Sequence, residues 1–353
     1  MWTNIFKRIL KYVLFFFLFS SVAQAPARHR YAQALAGGGD KFVIKLATLA
    51  PEGSVWMNLF YKLNSEVMEK TSGTVRFKVY PGGVLGDEID MLRKIRIGQI
   101  HGGGFTGLGL GMVYKDVLVT QLPFLFNNYH EVDYVLGKME DRFRQGFEKN
   151  GFVLLGWSDI GFIYLLSNAP ITSKEDIKGL RFWIWEGDAV ASAVFKKLGI
   201  VPVPLGLPDV LMALQTGLID VAFSSPLGAI ALQWFTKVRY IMDLPLSYAI
   251  GAVLIDKKVF QKMPLSHQKV VKECAARYLF ELTQRTREDN EKAIQVMVKH
   301  GIKITKPSEE QVVEFKKLCD TIAKELSDRA VSKGVLDELM SHLKAYRSHE
   351  QNK

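Results

Sequence analysis

The stretch Lys174 to Asp188, KEDIKGLRFWIWEGD, decides how the chain is read. A polar helical turn stops at Gly179, and Leu180 to Trp185 follow as a run of strand-forming residues. Alternation along a strand puts Arg181, Trp183 and Trp185 on one face and Phe182, Ile184 and Glu186 on the other. Two indoles on one strand face either fill a core or line a cavity, and buried aromatics mostly pack. The exit through Glu186, Gly187 and Asp188 delivers the last side chains to a rim, where ligands tend to sit.

Upstream, Phe42 to Leu49 alternates, turns at Pro51-Glu52-Gly53-Ser54 and passes into a segment with helical spacing of Trp56, Leu59, Phe60, Leu63 and Val67. Thr74 to Tyr80 and Asp87 to Ile97 repeat the strand-turn-helix order, which predicts a doubly wound α/β sheet. Gly102, Gly104 and Gly107 match a dinucleotide GxGxxG spacing. That fingerprint needs a strand before the glycines and a capped helix after them, whereas here the strand falls on the glycines themselves. They read instead as places where another backbone or a ligand comes close. No cofactor is expected.

Downstream, strands at Phe152 to Trp157 and Phe162 to Ser167 flank Asp159. Gly156-Trp157-Ser158-Asp159-Ile160 falls one residue short of a nucleophile elbow, because the second glycine is at 161, so Ser158 reads as a loop residue. Leu218 to Phe223 is a strand ending at Ser224-Ser225-Pro226, where open α/β sheets place ligand contacts and where serines also cap helices. Ser266 to His300 reads as a helix long enough to cross between domains.

A length of 353 residues with 48% hydrophobic and 23% charged residues fits a chain of two globular domains. Lys7, Arg8 and Lys11, the apolar run Val13 to Phe19 and the small-residue stretch Ser20 to Ala27 have the layout of an export signal, with cleavage between Ala25 and Ala36. Residues 1–36 carry five basic and no acidic groups, so the formal charge of +10 becomes about +5 without them. With no Lys/Arg stripe, no nucleic-acid partner is expected. Cys274 and Cys319, the only cysteines, read as free buried thiols or as one disulfide, and neither has a metal-ligand spacing. His101, His130 and His267 lie far in sequence from Asp159, Glu186 and Asp188, which leaves an exported α/β enzyme as a minor alternative.

With these residues in place, Phe42 to Pro307 resembles the DctP-type solute-binding proteins of TRAP transporters. The carriers are Leu46-Ala47-Thr48-Leu49-Ala50-Pro51, Tyr80-Pro81-Gly82-Gly83-Val84-Leu85-Gly86-Asp87-Glu88, Leu122-Pro123-Phe124-Leu125-Phe126, Asp176-Ile177-Lys178-Gly179-Leu180-Arg181, Ala213-Leu214-Gln215-Thr216-Gly217 and Lys237-Val238-Arg239-Tyr240. The resemblance implies a periplasmic-binding-protein-like fold with a cleft between two α/β lobes, hinge strands and a long crossing helix. It also implies a periplasmic location, closure by hinge motion and delivery of a small organic solute to TRAP membrane subunits, or alternatively to a sensor protein. The expected lobes are 40–160 with 249–288 and 161–248 with 289–342, followed by a polar tail at 343–353.

At three positions the sequence departs from the family pattern. Trp183 stands where the resemblance implies an arginine for the solute carboxylate, Ile163 where it implies a second, and Ser225 where it implies an asparagine before proline. A bidentate arginine contact contributes roughly 1.5–3 kcal/mol. Arg181 is the nearest cation that could substitute. The expected site is Trp183, Trp185, Glu186, Arg181, Ile163, Trp157, Asp159, Ser225, Phe124 and Leu49, lined for a ligand more apolar or aromatic than the family's usual carboxylates. Buried Glu186 or Asp188 would also repel an anion.

Overall fold

The computed structural model describes residues 41–187, 195 and 199–351. The expected export signal, Asp188 and most of the expected helix at 189–198 lie outside the described residues. Two sheets carry the fold. The first has the order β2-β1-β3-β11-β4, built from β1 (Phe42–Thr48), β2 (Val75–Tyr80), β3 (Gly102–Thr106), β4 (Phe152–Trp157) and β11 (Gly251–Asp256). β1, β2 and β3 are parallel, while β11 runs antiparallel to β3 and β4.

The second sheet has the order β12-β9-β5-β8-β6-β7, with β10 also on β5. Its strands are β5 (Gly161–Ser167), β6 (Arg181–Trp185), β7 (Val201–Leu205), β8 (Val221–Ser224), β9 (Tyr240–Met242), β10 (Ser247–Ala249) and β12 (Lys303–Thr305). β7 carries Pro202 and Pro204 and lies at the edge, the position that tolerates a residue with no N–H to donate. Both sheets are mixed, and each carries apolar clusters on both faces, as α/β sheets covered on two sides do.

The helices follow from their caps and periodicity. Ser54 accepts from Met57 N to open α1 (Val55–Lys70), which buries Met57, Leu59, Phe60, Leu63 and Val67. Asp87 opens α2 (Glu88–Arg96) and Asn128 opens α3 (Tyr129–Lys149). The short α4 (Pro226–Ala231) is capped by Ser225, and α5 (Leu265–Lys299) has 35 residues. The buried face of α5 is apolar at both ends, with Val271, Ala275 and Leu279 on the first sheet's side and Ala293 and Met297 on the second's. Its middle buries Thr283, Thr286, Arg287 and Asn290. The polar segment is where the helix passes from one lobe to the other.

The chain crosses between lobes at 158–160, at Ile250, along α5 and once more between Phe315 and Val331, where it returns to the first lobe. The first two crossings form a paired ribbon, with Ser158 N donating to Gly251 O and Ile160 N to Ala249 O. Gly161 in that ribbon has φ +105°, a conformation open to glycine, and a Cβ there would lie 2.5 Å from the Asn290 amide.

One sequence expectation changes here and two open alternatives are decided. Of the two readings open for the glycines of β3, at Gly102 it is a neighbouring backbone that comes close, since a Cβ there would sit 2.2 Å from Leu254 O of β11. Residues expected as a second-lobe end and a polar tail form α6 (Lys333–Gln351), which packs on the first lobe through buried Val335, Leu339 and Leu343. Arg347 of α6 pairs with Glu131 at 2.8 Å, so the polar look of the tail is one face of an amphipathic helix. Cys274 and Cys319 are both free thiols.

Candidate functional site

The lobes meet along one jaw. From the first lobe, the turn and helix start at 81–89 approach 185–187 and 206–208 of the second. Asp87 Oδ1 accepts from Glu88 N at 2.7 Å as the helix cap, while Oδ2 accepts from Trp185 Nε1 at 3.1 Å and Leu207 N at 2.9 Å. Gly83 faces Pro208 and Leu49, and Gly187 faces Ile89. The side chains of Trp185 and Leu207 pack against hydrophobic clusters of both lobes.

Behind the jaw, the second lobe presents an aromatic group. Trp183 stacks on Phe223 with centroids 4.8 Å apart, meets Trp185 at 4.8 Å and touches Trp234 edge-on at 5.2 Å. Its indole N–H donates to Leu205 O at 3.0 Å, so the ring is held as well as packed. Only 1% of Trp183 is exposed, and a charged side chain here would have no water and no partner.

Of the expected site residues, Trp183, Trp185 and Leu49 lie on the faces that converge on the jaw. The others do not join them. Arg181 is consumed by Asp220, donating from Nε at 2.8 Å and Nη2 at 2.7 Å, and this guanidinium holds the Asp220 carboxyl below the ordinary carboxylate range. This pairing holds the Arg181 guanidinium at the start of its strand, at the opposite end from Trp185 and the jaw. Trp157 sits in the first lobe's core, against Phe143 and Phe147, with its N–H on Glu140. Phe124 packs on the opposite face of the second sheet from Trp183, beside the Lys316 ammonium at 6.0 Å. Ser225 is buried as the cap of α4, accepting from Gly228 N at 3.2 Å. Ile163 is a half-buried ribbon residue paired with Ser247, and Glu186 is exposed rather than buried.

Asp159 belongs to the lobe crossing. It is 5% exposed and accepts from Arg287 Nε at 2.6 Å and from the Tyr248 hydroxyl at 2.5 Å. Burial raises its carboxyl above the ordinary value against the pull of Arg287 and Tyr248. Arg287 also donates to Asp133 at 2.6 and 2.8 Å and stacks over Tyr129 at 4.5 Å. Asn290, one turn on, donates to Ile160 O at 3.0 Å and accepts from Leu227 N at 2.9 Å. This network ties α5, the ribbon and α4 together where the chain changes lobes.

Glu88, next to the jaw, is fully buried and holds the β3 exit through Thr106 N and Gly109 N, both at 2.6 Å. Burial outweighs those donors and raises its carboxyl to about 7. A carboxyl raised in the folded state favours folding while protonated. That stability is complete below the unfolded value of 4.5 and is lost as pH rises through about 7. The shift corresponds to at most about 3 kcal/mol. Denaturant unfolding between pH 4.5 and 8 should show this decline in the native chain and a flatter profile in Glu88→Gln. Equal slopes would contradict it.

Two open depressions, of about 510 and 550 Å³, lie away from the jaw. The first is lined by Asn168, Gln215 and Arg239 at the far end of the second sheet, and the second by Glu66 and Tyr278 on the outer face of α1 and α5. Among the described residues no group of acidic, histidine and cysteine side chains could hold a metal, and no helix is long and apolar enough to cross a membrane.

Comparison with known proteins agrees with this architecture. The profile of the bacterial extracellular solute-binding proteins, family 7, named DctP, matches residues 46–329. The C4-dicarboxylate-binding periplasmic protein DctP of Rhodobacter capsulatus is 26% identical over 243 residues, covering 67% of this chain and 72% of that protein. The sugar acid binding protein of Advenella mimigardefordensis, solved with galactonate, superposes with a TM-score of 0.81 at 19% identity, covering 87% of this chain and 99% of that one. A TRAP periplasmic solute binding protein of Desulfovibrio salexigens, solved with orotic acid, gives 0.78 at 20% identity and covers 88% and 99%. These relatives are solute-binding receptors and not enzymes, so the exported α/β enzyme alternative gives way. The chain belongs to the DctP family, family 7 of the bacterial extracellular solute-binding proteins, and is a TRAP-type extracytoplasmic solute receptor.

Proposed function

We propose that this receptor takes a flat, apolar or aromatic organic solute of low negative charge and hands it to TRAP-type membrane subunits. The observation that carries the reading is the half-buried ring of Trp185 at the jaw, backed by half-buried Phe223 and the buried rings of Trp183 and Trp234. Trp183 occupies the position at which the family resemblance implies a carboxylate-binding arginine. The nearest cation, Arg181, is spent on Asp220. An aromatic wall favours flat solutes through burial, at about 25 cal/mol per Å² of apolar area, and through stacking. The basic and apolar segment at 1–36 serves export to the periplasm in this reading.

Calorimetric titration against succinate, galactonate, orotate and a neutral heteroaromatic tests the proposal. The neutral ring is expected to bind and succinate to fail at micromolar concentration, while Trp185→Ala weakens the ring by roughly tenfold. Micromolar succinate binding that survives Trp185→Ala would sink the reading.

A further inference from the structure

The two oxygens of Asp87 serve different lobes. Oδ1 caps its own helix through Glu88 N at 2.7 Å, and Oδ2 is held across the jaw by the Trp185 indole N–H and the Leu207 amide at 3.1 and 2.9 Å. Gly206 leaves room for the approach, since a Cβ there would stand 3.0 Å from Oδ2. Two N–H groups converging on one carboxylate oxygen make a seat of the kind that recognises an anion. We infer that Asp87 is an intramolecular occupant of this seat, a latch that draws the lobes together without solute.

The latch has two consequences for the receptor. Solute enters through the minor open state, so the latch lowers apparent affinity by the fraction of molecules it holds shut. An anionic solute arriving at the jaw meets the Asp87 charge, and the donors that would serve it are already taken. The first consequence is independent of which solute the cleft accepts.

Interlobe distances in solute-free protein test the inference. Spin labels at Ile97→Cys and Met212→Cys occupy exposed positions, 77% and 61% accessible, on the first and second lobes respectively. The background carries Cys274→Ala and Cys319→Ala so that the native thiols stay silent. Asp87→Ser keeps a helix-capping oxygen but is too short to cross the jaw. The unsubstituted receptor is expected to give mainly the short distance. Asp87→Ser should lower the closed-to-open ratio at least about tenfold, the value of a charge-assisted contact. Trp185→Phe, which removes one donor and keeps a ring, should shift the ratio in the same direction by less. If Asp87→Ser does not fold, Trp185→Phe and Asp87→Asn carry the test. Variant distributions that overlay the parent, or a parent that is already open, would overturn the latch.

Discussion

Replacing Arg287 with methionine is expected to lower the free energy of unfolding by about 3–5 kcal/mol, among the largest single effects available in this chain. The guanidinium joins two carboxylates of unequal exposure: the Asp159 side chain is 2% exposed and that of Asp133 is 54% exposed. The Asp133 arm faces water and contributes little, so the cost comes from stranding Asp159 in the interior. The Tyr248 hydroxyl and the weak 3.4 Å contact of the Asp159 amide with Thr283 remain, and neither supplies a charge. Pairing Arg287→Met with Asp159→Asn should recover more than half of the loss, because the second change removes the orphaned charge. Guanidinium unfolding of the two single variants and the double would measure this cycle. A single-variant loss under about 1 kcal/mol would show that water reaches Asp159 at the crossing.

The second large effect is at Trp183. Trp183→Ala should cost about 3–5 kcal/mol, since the ring is fully buried against three aromatic neighbours and leaves a cavity they cannot fill. Trp183→Arg restores the residue type that the family resemblance implies, yet it should be at least as destabilising. Its charge would enter a closed aromatic group, and the carboxylates at either end of the strand are already engaged, Asp220 by Arg181 on both oxygens and Asp87 by its helix cap and the Trp185 and Leu207 N–H groups. Melting temperature read alongside succinate titration separates the outcomes. Trp183→Arg protein with native stability and new micromolar succinate affinity would place this side chain in an open cleft rather than in the lobe's interior.

Local pattern accounts for much of the architecture. The strand-turn-helix units at 42–97 and the long helix after Ser266 were legible because periodicity and caps act over a few residues. The same alternation placed Trp183 and Trp185 on one face. It did not say which layer covers that face, which is why Trp157 and Phe124 were expected at a cleft and lie in other clusters.

The site partners were illegible for a different reason. Asp159 meets Arg287 across 128 residues, and Asp87 meets Trp185 and Leu207 across 98 and 120. At Asp87 the chain shows only an N-cap, a complete local explanation that gives no sign of the second oxygen's use. Phe223 and Trp234 likewise read as ordinary strand and helix residues until the fold stacks them on Trp183. The sequence by itself determined the two-lobed α/β fold, the family and the loss of its expected arginine at position 183. Only the tertiary structure decided that Arg181 is already paired, that Asp159 joins the lobe crossing and that Asp87 bridges the jaw. Pairings between segments a hundred residues apart are set by packing of whole sheets, and no short-range pattern carries them.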